Sequence, residues 1–122
     1  MLAYLDGEPT AQQVRQVLRR ARKNQLVVLF SLINYGECLY VTELEQGLQQ
    51  AQRAAGIIDQ LAIRVVPADR SLVFAAAHIK ARYAVSYADA FTIALAKRTG
   101  ARVMTGDVEF KSVEPEISVQ WL

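Results

Sequence analysis

The sequence has one cysteine, Cys38, and one histidine, His78. A single thiol excludes an intrachain disulfide. Set beside Leu39 and Tyr40, Cys38 reads as a buried, reduced side chain rather than a nucleophile. His78 falls mid-helix among alanines and reads as a surface or helix-packing residue; the chemistry below needs no histidine. Long apolar runs are also absent. The longest, Leu26 to Ile33, is interrupted by Ser31 and falls far short of the ~20 residues that cross a membrane. No basic stretch followed by an apolar one opens the chain, so no signal peptide is expected and a cytoplasmic location is. Repeats, linkers and low-complexity segments are lacking too.

What is present fits one compact domain. A chain of 122 residues buries one core and not two, and a hydrophobic fraction of 52% argues against disorder. The formal net charge is +2, too small by itself to require a nucleic-acid partner. Its distribution is more telling. With Glu37, Asp89 and Asp107 set aside as one site, nine acids remain against 14 bases. An acidic hollow in a basic surface suits a metal facing a polyanion, although a mildly basic domain is also ordinary.

The chain alternates helices and strands. Met1–Leu5 reads as helix, and Asp6-Gly7-Glu8-Pro9-Thr10 as a break with Pro9 at a first helical position. An amphipathic helix follows, with Val14, Val17, Leu18 and Ala21 on one face and Arg15, Arg19, Arg20, Arg22 and Lys23 on the other. That basic face is either solvated or touches RNA or an acidic partner. Leu26–Phe30 is a strand of the kind buried on both faces. Ser31 caps the next helix, which holds Glu37 and ends near Gly47. Tyr35, Leu39, Tyr40 and Leu44 form a stripe suited to the core or to a docking groove. Gln49–Leu61 is a helix and Ile63–Val66 a strand. Asp69 caps a helix from Ser71 to about Tyr83, and Ser86 caps another from Tyr87 to Arg98, stopped by Gly100. Arg102–Thr105 is a strand, Asp107–Lys111 a short helical turn and Ile117–Trp121 a last strand. Strands separated by helices imply a parallel sheet flanked by helices on both faces.

Carboxylates in apolar sequence need a reason, because burying a charge is costly unless it is paired or binds a metal. Asp107 follows a strand by two residues, where ligands bind in open α/β sheets. Asp89 lies three residues past the Ser86 cap, where the helix dipole favours an anion. Glu37 lies in the second turn of a helix that also follows a strand. All three are expected on one edge of the sheet, as hard oxygen ligands for Mg²⁺ or Mn²⁺. Singly, each acid has a plain reading: Asp89 as a first-turn acid, Asp107 as a turn residue, Glu37 as a surface helix residue.

Four fragments in order, Leu2-Ala3-Tyr4-Leu5-Asp6-Gly7-Glu8-Pro9, Asn34-Tyr35-Gly36-Glu37, Ser86-Tyr87-Ala88-Asp89-Ala90 and Thr105-Gly106-Asp107-Val108-Glu109-Phe110, give the chain a resemblance to PIN-domain proteins. The likeness is to the small VapC-type toxin ribonucleases of toxin–antitoxin pairs, and it runs nearly end to end. It implies an α/β fold with a parallel sheet, cleavage of RNA dependent on Mg²⁺ or Mn²⁺, homodimers, and inhibition by a small antitoxin. It places Glu37, Asp89 and Asp107 on three of the family's four acids, Thr105 on a hydroxyl position beside the site, Asn34 on a polar position one turn before Glu37, and Ser86 at the cap before Asp89. The family's first central strand and its aspartate would lie ahead of Met1: either the natural protein starts upstream, or the chain as written lacks both. The expectation is therefore weak metal binding and impaired cleavage by the chain as written, with a non-catalytic module that binds an antitoxin or RNA as the alternative.

Overall fold

The computed structural model describes residues 11–122. The expected helix at Met1–Leu5, the break before Pro9 and the question of a first strand lie outside the described residues. The chain divides into two units, Met1–Val66 and Pro67–Leu122.

In the first unit, α1 spans Ala11–Arg22 and buries Ala11, Val14, Leu18 and Ala21, one helical face, as expected. Asn24, in the left-handed region at φ 60°, ends it. Strand β1 (Val28–Ser31) starts two residues later than the apolar run suggested, and Val27 is 62% exposed. Only its last two residues, Phe30 and Ser31, are buried, in place of the expected burial along both faces. Among the described residues β1 has a strand partner on one side only, and Val28 and Leu29 are half-buried. Ser31 does two jobs: it ends the strand, and its Oγ accepts the Ile33 N–H at 3.2 Å to cap α2 (Leu32–Gln46). Gly47, at φ 93°, separates α2 from α3 (Leu48–Gln60). The two helices pack on each other and carry the chain to β2 (Ile63–Val66), parallel to β1 in the register Val28↔Ile63 to Ser31↔Val66.

The core of this unit gathers Phe30, Tyr35, Cys38 and Ile58. Phe30 and Tyr35 stack with ring centroids 5.8 Å apart. The Tyr35 hydroxyl donates toward Asp59 Oδ1 at 2.8 Å and Ala55 O at 3.0 Å, so the buried ring carries its polar end to acceptors on α3. Burial, and then the Asp59 carboxylate, push the Tyr35 phenol up to about 12. The stripe read on α2 divides: Tyr35 faces the core and Leu39 packs against it, while Tyr40 and Leu44 are 57% and 81% exposed.

The second unit opens with α4 (Arg70–Arg82), capped as expected by Asp69, whose carboxylate accepts the Leu72 N–H at 2.8 Å. Helix α5 (Tyr87–Thr99) follows, capped by Ser86 and closed by Gly100 in the left-handed region at φ 73°. The small buried Ala76, Ala90 and Ala94 allow the close packing of α4 on α5. Strand β3 (Val103–Thr105) pairs in parallel with β4 (Val119–Trp121), and a 3-10 helix (Val108–Val113) lies between them in sequence. Glu116 ties this last segment to both helices: Tyr83 OH donates to its Oε1 at 2.9 Å, and Lys97 pairs with its Oε2.

The α/β class with parallel strands and packed helices is thus the observed one. Among the described residues the parallel pairing is divided between two two-stranded sheets, one in each unit. Among the described residues, no helix is long and apolar enough to cross a membrane.

Candidate metal centre

Asp107 is held on one side by the Thr105 hydroxyl and on the other by a backbone N–H. Its N–H donates to Thr105 Oγ1 at 3.1 Å, and its Oδ1 accepts the Glu109 N–H at 2.9 Å. Thr105 is itself fixed at the end of β3, where its carbonyl accepts the Leu122 N–H at 3.0 Å. Asp107 is therefore the cap of the 3-10 helix. That helix turns because Phe110 and Val113, three residues apart, are both buried, at 2% and 0% exposure. The same turn leaves Val108 and Glu109 outside, with the Glu109 carboxylate beside the Asp107 carboxylate.

Asp89 reaches the same place from α5. Ser86 Oγ accepts the Asp89 N–H at 3.1 Å, which fixes Asp89 in the first helical turn. The half-buried Asp89 and the exposed Asp107 and Glu109 each offer one oxygen, and these three oxygens lie within 4.8 Å of one another. Three carboxylates so placed repel one another by about 1 kcal/mol per pair even at the dielectric constant of water, and by more in lower dielectric. A cation among them reverses that sign. Oxygen ligands at about 2.1 Å from an ion sit about 4.2 Å apart when opposite. Three ligands on one ion leave at least two pairs adjacent, about 3.0 Å apart, so these oxygens, already within 4.8 Å, reach one ion after an adjustment of up to about 2 Å, which the exposed Asp107 and Glu109 side chains can supply.

Asp89 and Asp107 are thus brought together, as the sequence suggested. Glu37 belongs to the first unit, half-buried in the second turn of α2, with Asn34 half-buried one turn before it. Glu109 joins Asp89 and Asp107 in the structure and is not marked as a site residue by the sequence. Its signal was faint: an acid two residues after a capping aspartate, just before a phenylalanine that buries. Thr105 and Ser86 both bond backbone next to the acids. His78 is exposed on α4, in keeping with its surface reading.

A hollow of about 270 Å³ also exists in the first unit, lined by Ala21, Leu26, Val28, Leu61, Ile63 and neighbours. It lies at the amino ends of β1 and β2, opposite to where α/β sheets bind ligands, and no cluster of acids lines it.

The family model described as PIN domain matches residues 1–115, a match that runs across both units. The crystal structure of DNA-bound VapBC from Salmonella typhimurium is similar in fold: TM-score 0.61, 22% identity, with 75% of this chain and 73% of that chain covered. So is the 2.2 Å structure of VapBC-1 from nontypeable Haemophilus influenzae: TM-score 0.62, 17% identity, with 90% of this chain and 88% of that chain covered. No curated protein matches the sequence.

Proposed function

This chain belongs to the PIN domain family, and from that premise we propose that it is a divalent-metal-dependent endoribonuclease, the toxin of a toxin–antitoxin pair. The single observation that carries this reading is the convergence of Asp89, Asp107 and Glu109. Asp89 and Asp107 are the ligands for Mg²⁺ or Mn²⁺, and Glu37 enters the same set on the family resemblance. The chemistry such an ion supplies when bound is acidification of its water and neutralisation of charge on the phosphate. The protein's own part is to orient and to hold. Asp89 or Asp107 accepts a hydrogen bond from the attacking water and aligns it with the phosphorus. Thr105 and Ser86 keep the backbones of Asp107 and Asp89 in place through the bonds described above. Asn34 supports Glu37 from the preceding helical turn.

The proposed partners are an RNA substrate, a cognate antitoxin and a second copy of the chain, in the cytoplasm. Support for the antitoxin comes from the fold shared with VapBC assemblies. The exposed Tyr40, Leu44 and Leu48 offer an apolar surface of the kind that protein partners cover.

The test is RNA cleavage by the purified chain with Mg²⁺ or Mn²⁺ and with EDTA. Cleavage that needs the ion and disappears in Asp89→Asn is the expected result. Cleavage that persists in EDTA, or that Asp89→Asn leaves intact, overturns the proposal.

A further inference from the structure

Helix α1 presents a solvent face made only of cations and amides. Arg15, Arg19, Arg20 and Arg22 are all exposed, as are Gln12, Gln13 and Gln16, and Lys23 follows directly. The helix contains no acid. Among the described residues none of the five cations makes an ion pair. Their direction is fixed, because Ala11, Val14, Leu18 and Ala21 bury the opposite face. Arg19, Arg20 and Arg22 lie in the last turn, where the helix dipole welcomes cations, which accounts for three of the charges. It does not account for Arg15, which lies nearer the amino end, nor for the lack of an acid between Ala11 and Arg22.

The chemistry of this face selects its partner. Interfaces with proteins centre on apolar and aromatic side chains. No large hydrophobic residue of α1 is among the exposed ones; those described in this unit lie elsewhere, at Val27, Leu32, Ile33, Tyr40, Leu44 and Leu48. Phosphate backbones are instead bound by arginine, lysine and amide side chains without apolar contact. Arg15, Arg19 and Arg22 stand in one row at helical spacing. The row is about 10 Å long, roughly three phosphates of a stacked strand. We infer that the α1 face, from Arg15 to Lys23, is a binding surface for the phosphate backbone of RNA, the substrate class of the proposed nuclease. The inference rests on that reading for the identity of the nucleic acid.

Binding is measured apart from cleavage, by fluorescence anisotropy of the full chain with a labelled 20-nucleotide single-stranded RNA in EDTA, over a series of KCl concentrations. The triple variant Arg15→Gln/Arg19→Gln/Arg22→Gln is expected to bind on the order of tenfold more weakly at 100 mM salt. The slope of log affinity against log salt should fall by about 2, since each phosphate contact on a single strand carries roughly 0.7. A control removing equal charge elsewhere, Arg53→Gln/Lys80→Gln/Arg102→Gln, should change the affinity less than about twofold. Equal losses in both triples mean that net charge alone is read, and overturn the inference. So does a triple variant on α1 that keeps its RNA affinity and loses affinity for poly-L-glutamate, which makes the face a protein-docking surface. Cleavage assays separate this from the nuclease reading. Metal-dependent cleavage with unchanged RNA binding by the α1 variant removes the inference alone. Binding through α1 without any cleavage removes the nuclease alone.

Discussion

Two aspartates of the second unit do the same local job in different company. Asp69 caps α4 by accepting the Leu72 N–H at 2.8 Å, and Asp107 caps the 3-10 helix by accepting the Glu109 N–H at 2.9 Å. Beside Asp69 stands Arg98, whose guanidinium lies 3.2 Å from Oδ2. Beside Asp107 stand the carboxylates of Asp89 and Glu109. Capping explains an aspartate at each position, and at Asp69 the neighbouring cation completes the account. At Asp107 capping explains one acid and does not explain why the carboxylates of Asp89 and Glu109 converge on it. Asp69 is accounted for by the fold, and the proposed metal site is what would account for the acids gathered at Asp107.

The largest effect expected from breaking the comparison comes from making the same substitution at both caps. Asparagine caps a helix about as well as aspartate, so Asp→Asn removes charge and spares the cap. Asp107→Asn should lower Mn²⁺ affinity and metal-dependent RNA cleavage by on the order of a hundredfold or more. Asp69→Asn should leave both within about twofold. Isothermal titration with Mn²⁺ and a cleavage time course decide it, and equal effects at the two positions would remove the distinction. Glu109→Gln is the next step down: a loss of on the order of tenfold in Mn²⁺ affinity, with Glu114→Gln, an exposed acid just past the same 3-10 helix, as the unaffected control.

Much of this was readable in the residues, and the parts that were not have physical reasons. The caps at Ser31, Asp69 and Ser86 and the stop at Gly100 depend on one or two neighbouring residues, and each stands where the sequence put it. The convergence of Asp89 and Asp107 was legible because both follow from element ends, a helix cap and a strand end. Glu109 was not, because its place depends on Phe110 and Val113 burying together and winding the segment into a 3-10 turn, a tertiary event. The start of β1 was misplaced for a similar reason: Leu26 and Val27 have strand propensity, yet the parallel register begins at Val28↔Ile63. The stripe on α2 could not be divided in advance, since spacing alone does not say that Tyr35 finds Asp59 and Ala55 while Leu44 finds solvent.

Ser86 sharpens the comparison from the side of Asp89. Its Oγ bonds the Asp89 N–H, so one hydroxyl serves both helix and site. Ser86→Ala should cost about 1 kcal/mol, or roughly 4 °C in Tm. It should also weaken Mn²⁺ binding several-fold by freeing the first turn. Ser86→Asp, which keeps a capping oxygen, should restore the Tm. A variant that loses stability and keeps full Mn²⁺ affinity would show that the cap positions the helix and not the acid.

The smallest effect is in the acid limb of stability, and it tests the other half of the comparison. The Leu72 N–H, with help from Arg98, holds the Asp69 carboxyl below the usual range. The folded chain then binds fewer protons than the unfolded chain across that interval, so stability rises with pH there. The contribution of Asp69 is fully present above the unfolded value of about 4 and is lost as pH falls through its depressed folded value. Glu116, lowered by its hydrogen bond from Lys97 and then by that from Tyr83, acts in the same direction. The Tm difference between the wild type and Asp69→Asn should therefore shrink as pH falls from 6 towards 2, and more so when Glu116→Gln is added. Salt should narrow the part due to Arg98, an exposed pair, and spare the part due to the backbone N–H. A Tm difference that stays constant with pH would mean that the Asp69 charge contributes nothing beyond its cap, and the contrast with Asp107 would then rest on the three converging carboxylates alone.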